Sequence, residues 1–168
     1  MAKKVYGLKA ITMGDPAVDG GMGTTLTEVL GATVKGTATL TSTDSETEEF
    51  ETEESDEIYD EVITKKGVWT LAASTYNVTA LTMQKLFGGT IVTGVWSPPV
   101  DGLTVIVKQS VVAETRSGIK FNFVNMSLKA TAEFAFDKTK LGQINWTGKV
   151  LKPEKTATAA MSIDFGTE

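Results

Sequence analysis

Apolar and polar residues alternate along most of this chain with a period of two, the repeat that sends successive side chains to opposite faces of a β-strand. From Val34 the alternation sets Val34, Gly36, Ala38 and Leu40 against Lys35, Thr37, Thr39 and Thr41. It returns at Trp69, Leu71 and Ala73, at Leu103, Val105 and Val107, and at Ile119, Phe121 and Phe123. The longest run sets Met126, Leu128, Ala130, Ala132, Phe134 and Phe136 against Ser127, Lys129, Thr131, Glu133, Ala135 and Asp137. Ile144, Trp146, Gly148 and Val150 form a further set, ended by Pro153, and Met161, Ile163 and Phe165 a last one. One segment breaks the pattern. Thr79 to Phe87 has Leu81, Leu86 and Phe87 spaced for one helical face, with Gly88-Gly89 as its stop. Short strands at regular spacing with a single helix predict an all-β chain, an antiparallel sandwich or barrel flanked by one short α-helix.

The connections agree. Arg116-Ser117-Gly118 reads as a hairpin turn, and Ser97-Pro98-Pro99-Val100-Asp101-Gly102 as a turn-forming linker. Gly14 to Thr27, dense in glycine and threonine, favours no regular element, so residues 1–28 are expected as a flexible N-terminal arm.

At 168 residues the chain is long enough for one domain, 1–168, with a continuous core. It contains no run of eighteen apolar residues, and Lys3-Lys4 is followed by no apolar stretch, so neither a membrane helix nor a secretory signal is expected. There is no cysteine and no histidine, which removes disulfides, thiolate nucleophiles, imidazole bases and nitrogen- or sulfur-ligated metal sites. Three of the four asparagines, Asn77, Asn125 and Asn145, lie in N-x-[ST] triplets; a threonine-rich chain generates these by chance, and no signal is seen to carry them to a glycosylating compartment.

Net charge changes the picture more. Eleven of the 21 acids lie between Asp44 and Glu61, a stretch with no base, so the remaining ten acids face sixteen bases and the rest of the chain is +6. This is one concentrated acidic patch on a mildly basic body, expected as an acidic hairpin or loop over residues 42–61.

Candidate chemistry is thin. Gly20-Gly21-Met22-Gly23-Thr24-Thr25 lacks the lysine of a phosphate-binding P-loop and follows no apolar strand. Asp44, Glu46, Glu48 and Glu49 are oxygen ligands without the spacing or turn glycine of a calcium loop. Paired carboxylates can cleave glycosides, but that also takes a cleft of sugar-stacking aromatics, and aromatics make up 8% of the chain, mostly at core parities. No catalytic residue, cofactor or metal is expected. The plain reading of Glu46 to Glu61 is a solvated, edge-protecting face.

The order of features from Val29 to Pro153 resembles the tail tube (major tail) proteins of long-tailed bacteriophages. It runs through a Gly/Thr-rich strand, an acidic segment, and Ile58-Tyr59-Asp60-Glu61-Val62-Ile63-Thr64-Lys65-Lys66-Gly67. A strand at Val68-Trp69-Thr70-Leu71-Ala72, a helix from Leu81 to Phe87 and Gly88-Gly89-Thr90 follow. The turn at Ser117-Gly118, the Phe121 to Phe136 strands and Val150-Leu151-Lys152-Pro153 close the match.

The resemblance implies a structural subunit of the virion, made in the bacterial host cytoplasm. It forms hexameric rings that stack into a tube, meets tail terminator and tape-measure proteins, and conducts double-stranded DNA without binding it. If six subunits each lend four strands to one inner barrel, spacing of ~4.8 Å and tilt of ~45° give a backbone diameter of about 50 Å. Side chains narrow this to roughly 40 Å, enough for a duplex about 20 Å across. Acidic or neutral wall residues suit passage of an anion, since basic ones would hold its phosphates.

Parity places Val34, Ala38, Leu40 and Phe50 on a core face and Glu49, Glu51 and Glu53 on the other, as candidate lumen-lining residues. The alternative sets the acids at the ring-to-ring joint, meeting Lys65 and Lys66 of a neighbour. Two other readings stay open: the tube of a bacterial contractile injection or secretion system, and a carbohydrate-binding β-sandwich with Trp96 as its one candidate exposed aromatic.

Overall fold

The computed structural model describes residues 4–27, 31–102 and 106–166. Within these described residues eleven strands and one helix follow one another: β1 (Leu8–Gly14), β2 (Thr39–Ser42), β3 (Glu46–Thr52), β4 (Ser55–Lys65), β5 (Trp69–Thr75), α1 (Ala80–Phe87), β6 (Thr90–Val92), β7 (Val95–Ser97), β8 (Val107–Thr115), β9 (Lys120–Glu133), β10 (Gln143–Val150) and β11 (Met161–Asp164). The chain is antiparallel all-β with one short helix, its main sheet curled into a sandwich-like half-barrel. That sheet runs β1-β8-β9-β10-β5-β2, with β11 added beside β9. β3–β4 and β6–β7 are separate two-stranded hairpins.

The core lines the face of the main sheet that the helix covers. Ile11 and Met13, Leu71 and Ala73, Val111 and Ala113, Phe123, Met126 and Leu128, and Ile144 and Trp146 meet Leu86 and Phe87 there. The alternation in β10 therefore holds as expected; in β5 it holds for Leu71 and Ala73, but Trp69, at the start of the strand, is 38% exposed, and Ser74 and Thr75 are both buried at its end. β9 holds for a subtler reason, because Phe123 and Met126 are both buried although three residues apart. The ladder with β8 slips there, Gln109 facing Met126 and Val111 facing Phe123, so β9 carries one extra residue. The bulge reverses parity and returns Met126 and Leu128 to the core side. Along the other edge of β9 the partner changes at the same point, from β11 at Lys120–Phe123 to β10 at Met126–Glu133. The two expected strands are one.

Helix α1 starts at Thr79, whose hydroxyl accepts from the Thr82 amide, and ends at Gly88, whose amide donates to Gln84 and whose φ is +74°. Both ends are thus capped as the residue types require. It packs against β8, β9 and the β6–β7 hairpin. Its buried stripe is Thr82, Leu86 and Phe87; Leu81, expected on this face, is 45% exposed. In an eight-residue helix the stripe follows Thr82 and Leu86, four apart, and Leu81 falls one position off it.

Other expectations change. Strand pairing in the segment from Val34 begins only at Thr39, because residues 35–36 form a turn with Gly36 at φ +81°. Within the arm expected at 1–28, Leu8–Gly14 is an edge strand paired with β8. The glycine-rich loop behind it is docked, with the Gly23 amide donating 2.9 Å to the Ser110 hydroxyl, which donates 2.6 Å to the Val124 carbonyl. A Cβ on Gly23 would meet the Asp15 carbonyl, so the close approach requires glycine. Phe134 and Phe136, counted into the long alternating run, are exposed, since β9 stops at Glu133 and the chain turns away. Leu103 and Val105 lie outside the described residues.

Candidate assembly surface

The acidic segment is a hairpin. Its root continues the β2–β5 ladder: β2 pairs with β5 from Thr39↔Ala72 to Ser42↔Trp69, and the Thr43 amide then donates 3.0 Å to the Val68 carbonyl. The Val68 amide donates 3.0 Å back to the Thr43 hydroxyl. Beyond this point β3 and β4 pair only with each other, forming a ribbon that leaves the end of the sheet. Eleven residues of β4 at ~3.3 Å each make it about 35 Å long.

Almost nothing on the ribbon is buried. Phe50 is 47% exposed and Tyr59 79%, and Ile58, Val62 and Ile63 are exposed as well. Phe50 therefore does not join the core face expected for it, because no second layer covers the ladder once it passes Thr43. The ribbon also carries a repulsive pair, for Glu49 lies directly opposite Glu61. Like charges facing each other across a ladder destabilise it, and a two-stranded ribbon without a covered face is at best marginal alone.

The candidate lumen-lining acids do not share one environment. Alternation along β3 puts Glu49 and Glu51 on one face, with Glu61 and Ile58 as their partners, whereas Glu53 lies in the turn at the tip. Lys65 ends β4 and pairs with Glu46 of the same ribbon at 2.6 Å; Lys66 lies in the short link to β5. Both lysines are thus brought to the root of the ribbon whose acids they were expected to meet across a joint.

At the opposite end of β5 sequence reasoning missed a second feature. Tyr76, Val78, Phe134, Phe136 and Leu141 line an apolar groove of about 350 Å³. It forms where the chain leaving β5 meets the loop between β9 and β10, beside Gly142, which lies against the Phe134 ring. Phe134 and Phe136 had the signal for it, but their parity assigned them to the core.

Elsewhere charged side chains tie surface segments to one another. Asp15 accepts 2.8 Å from the Gln109 amide and 3.3 Å from the Lys85 ammonium, tying the glycine-rich loop to β8 and α1. The Gln109 hydrogen bond, helped by the Lys85 charge, holds the Asp15 carboxyl below its ordinary value. Asp19 is lowered by its hydrogen bond from Lys155, and Glu114 by one from Lys9, both at the surface. Trp96, the candidate sugar platform, is committed to the fold: its indole donates 2.8 Å to the Gly88 carbonyl and its ring lies 6.2 Å from that of Phe87.

Among the described residues no group of three or more acids is arranged to hold a metal ion, and no helix is long and apolar enough to cross a membrane. No protein-family model matches the chain, and no curated protein matches it either.

Proposed function

We propose that this protein is a non-enzymatic structural subunit that assembles with copies of itself into stacked hexameric rings, the tube of a phage tail through which DNA is conducted. The observation that carries this reading is the ribbon, a strand of seven residues (about 23 Å) paired with one of eleven, with both faces and both outer edges unpartnered among the described residues. A chain that stays alone gains nothing from extending such a ribbon, and open strand edges are otherwise an aggregation hazard that proteins cover or blunt. Dense like charge on the ribbon blunts it against random pairing while leaving it available to a matching surface.

The order of segments in the sequence supports the tail-tube identity over a general self-assembling sandwich. In this reading the ribbon's acids belong to the joint between rings. A lumen-lining strand has water on one face and its own subunit's core on the other, and Phe50, on the face opposite Glu49 and Glu51, is half exposed. The tube of a bacterial injection system is built from the same kind of part and would share every feature named here.

Negative-stain microscopy of the purified protein across a concentration series tests the proposal. Rings with sixfold symmetry that stack into tubes are expected. A particle that stays monomeric by sedimentation at the highest concentration, with no tubes on the grid, overturns it.

A further inference from the structure

We infer that the β3–β4 ribbon of one copy docks in the Tyr76/Phe134 groove at the far end of a second copy, joining copies head to tail. The inference rests on the self-assembly reading and narrows it to named surfaces. The ribbon and the groove are apolar surfaces without a partner among the described residues, and they lie at opposite ends of one ladder. The ribbon leaves the sheet next to Trp69, where β5 begins; the groove opens beside Tyr76 and Val78, just after β5 ends at Thr75. Such a placement cannot satisfy itself within one chain. It makes a heterologous contact, which repeats along a line instead of closing as a twofold dimer would.

The charges match in the same sense. Within the ribbon Glu49 faces Glu61, a repulsion that a cationic partner relieves. Lys138 and Lys140 are exposed in the β9–β10 loop, between the groove residues Phe136 and Leu141 in sequence, and Lys35 lies in the turn next to Val34, whose amide donates to Ser74 at the same end of β5. None of these three lysines forms an ion pair among the described residues. In the sequence from the end of β9 to Leu141 the acids are Glu133 and Asp137, and the Asp137 carboxylate accepts from the amide and hydroxyl of Thr139, each at 2.9 Å. Lys65, by contrast, is held by Glu46 at the ribbon root. The apolar side chains complete the fit, with Ile58, Tyr59 and Ile63 as anchors for a groove walled by Val78, Phe134 and Leu141. Aromatic anchors filling apolar grooves inside a charged rim carry most of the energy in protein interfaces.

Two double variants at exposed positions test this without disturbing the core: Ile58→Ser with Tyr59→Ser on the ribbon, and Phe136→Ser with Leu141→Ser at the groove. Each alone is expected to weaken self-association by about 30-fold or more, the loss typical of an interface anchor. Mixed in equal amounts they are expected to restore one junction, the intact groove of the first receiving the intact ribbon of the second. Particles in sedimentation velocity then double in size and stop.

A second groove variant, Lys138→Glu with Lys140→Glu, weakens association in the same direction. Unchanged association in both groove variants, or a mixture that shows no doubling, overturns the docking. The broader reading fails separately: doubling in the mixture without rings or tubes from the parent chain keeps the docking and removes the tube, whereas tubes from both double variants do the reverse.

Discussion

Thr43 and Val68 face each other where the acidic ribbon leaves the sheet, joined by a backbone hydrogen bond in one direction and a backbone-to-hydroxyl bond in the other, both 3.0 Å long. This pair fixes the ribbon to the body, and Gly67 beside it makes the close crossing possible, because a Cβ there would run into the Thr43 carbonyl. Gly67→Ala is therefore expected to push the two strands apart and cost about 1–3 kcal/mol. The check is a denaturant titration. The same variant should form fewer and less regular assemblies, since the ribbon would leave the body at a changed angle.

The helix offers a contrast between neighbours. Leu86 is 2% exposed, and Leu86→Ala is expected to cost about 2–5 kcal/mol through lost transfer energy and the cavity left behind. Leu81, on the solvent side, should tolerate alanine within about 0.5 kcal/mol. Thermal melts of the two variants side by side decide this; equal losses would mean that the helix is not docked as described.

Asp15 links stability to pH. Its carboxyl is lowered from the ordinary value of 3.8 by the hydrogen bond from Gln109, with the Lys85 charge adding to it and desolvation opposing. A depressed folded-state value stabilises above the unfolded value, and the gain is lost as pH falls through the folded one. Wild type is therefore expected to melt higher than Asp15→Asn near neutral pH, with the gap closing below about pH 4. The side chain is largely solvated, so the gap should be small. A gap that widens in acid would contradict the assignment.

Charge reversal separates two places for the acids. Glu49→Lys, Glu51→Lys and Glu53→Lys together alter exposed positions, and Glu49→Lys turns the repulsion with Glu61 into an attraction, so the subunit is expected to fold with a melting temperature no lower than wild type. With the acids at a joint, tubes fail to form; with the acids in the lumen, tubes form and hold DNA in a salt-dependent way, since basic wall residues bind phosphates. Microscopy followed by a DNA-retention assay at two salt concentrations distinguishes the two. The exposed Phe50 behind these residues favours loss of tubes.

Much of the sheet was legible because burial and alternation coincide. Trp146 and Ile144 sit in a central strand, β10, where one face is core and the other solvent, and the period of two survives intact. β1 was not legible. Leu8–Gly14 offers only Ile11 and Met13 as a buried pair, and the strand exists because β8 is there to receive it, a tertiary fact that no local pattern carries. The bulge in β9 shifts parity in a way visible only from the opposite strand. At the candidate surface, the acidic segment was readable as a hairpin or loop, yet Phe50 was assigned to the core. Alternation reports that one face is apolar; it does not report whether anything lies over that face. The groove was hidden by the same ambiguity, since Phe134 and Phe136 continue a core pattern one turn past the end of the strand.

The pairing of β1 with β8 also sets an order of events during synthesis. Leu8 meets Thr115 and Gly14 meets Ser110, so β1, once it has left the ribosome, waits for roughly a hundred residues to follow it. At about 5–20 residues per second that wait is roughly 5–20 s. Through that interval Ile11 and Met13 have no ladder to join, and the docking site for the glycine-rich loop, Ser110, has not been made. β1 is then among the last pieces to settle, and newly made chains depend on the rest of the sheet forming before β1 finds the wrong partner.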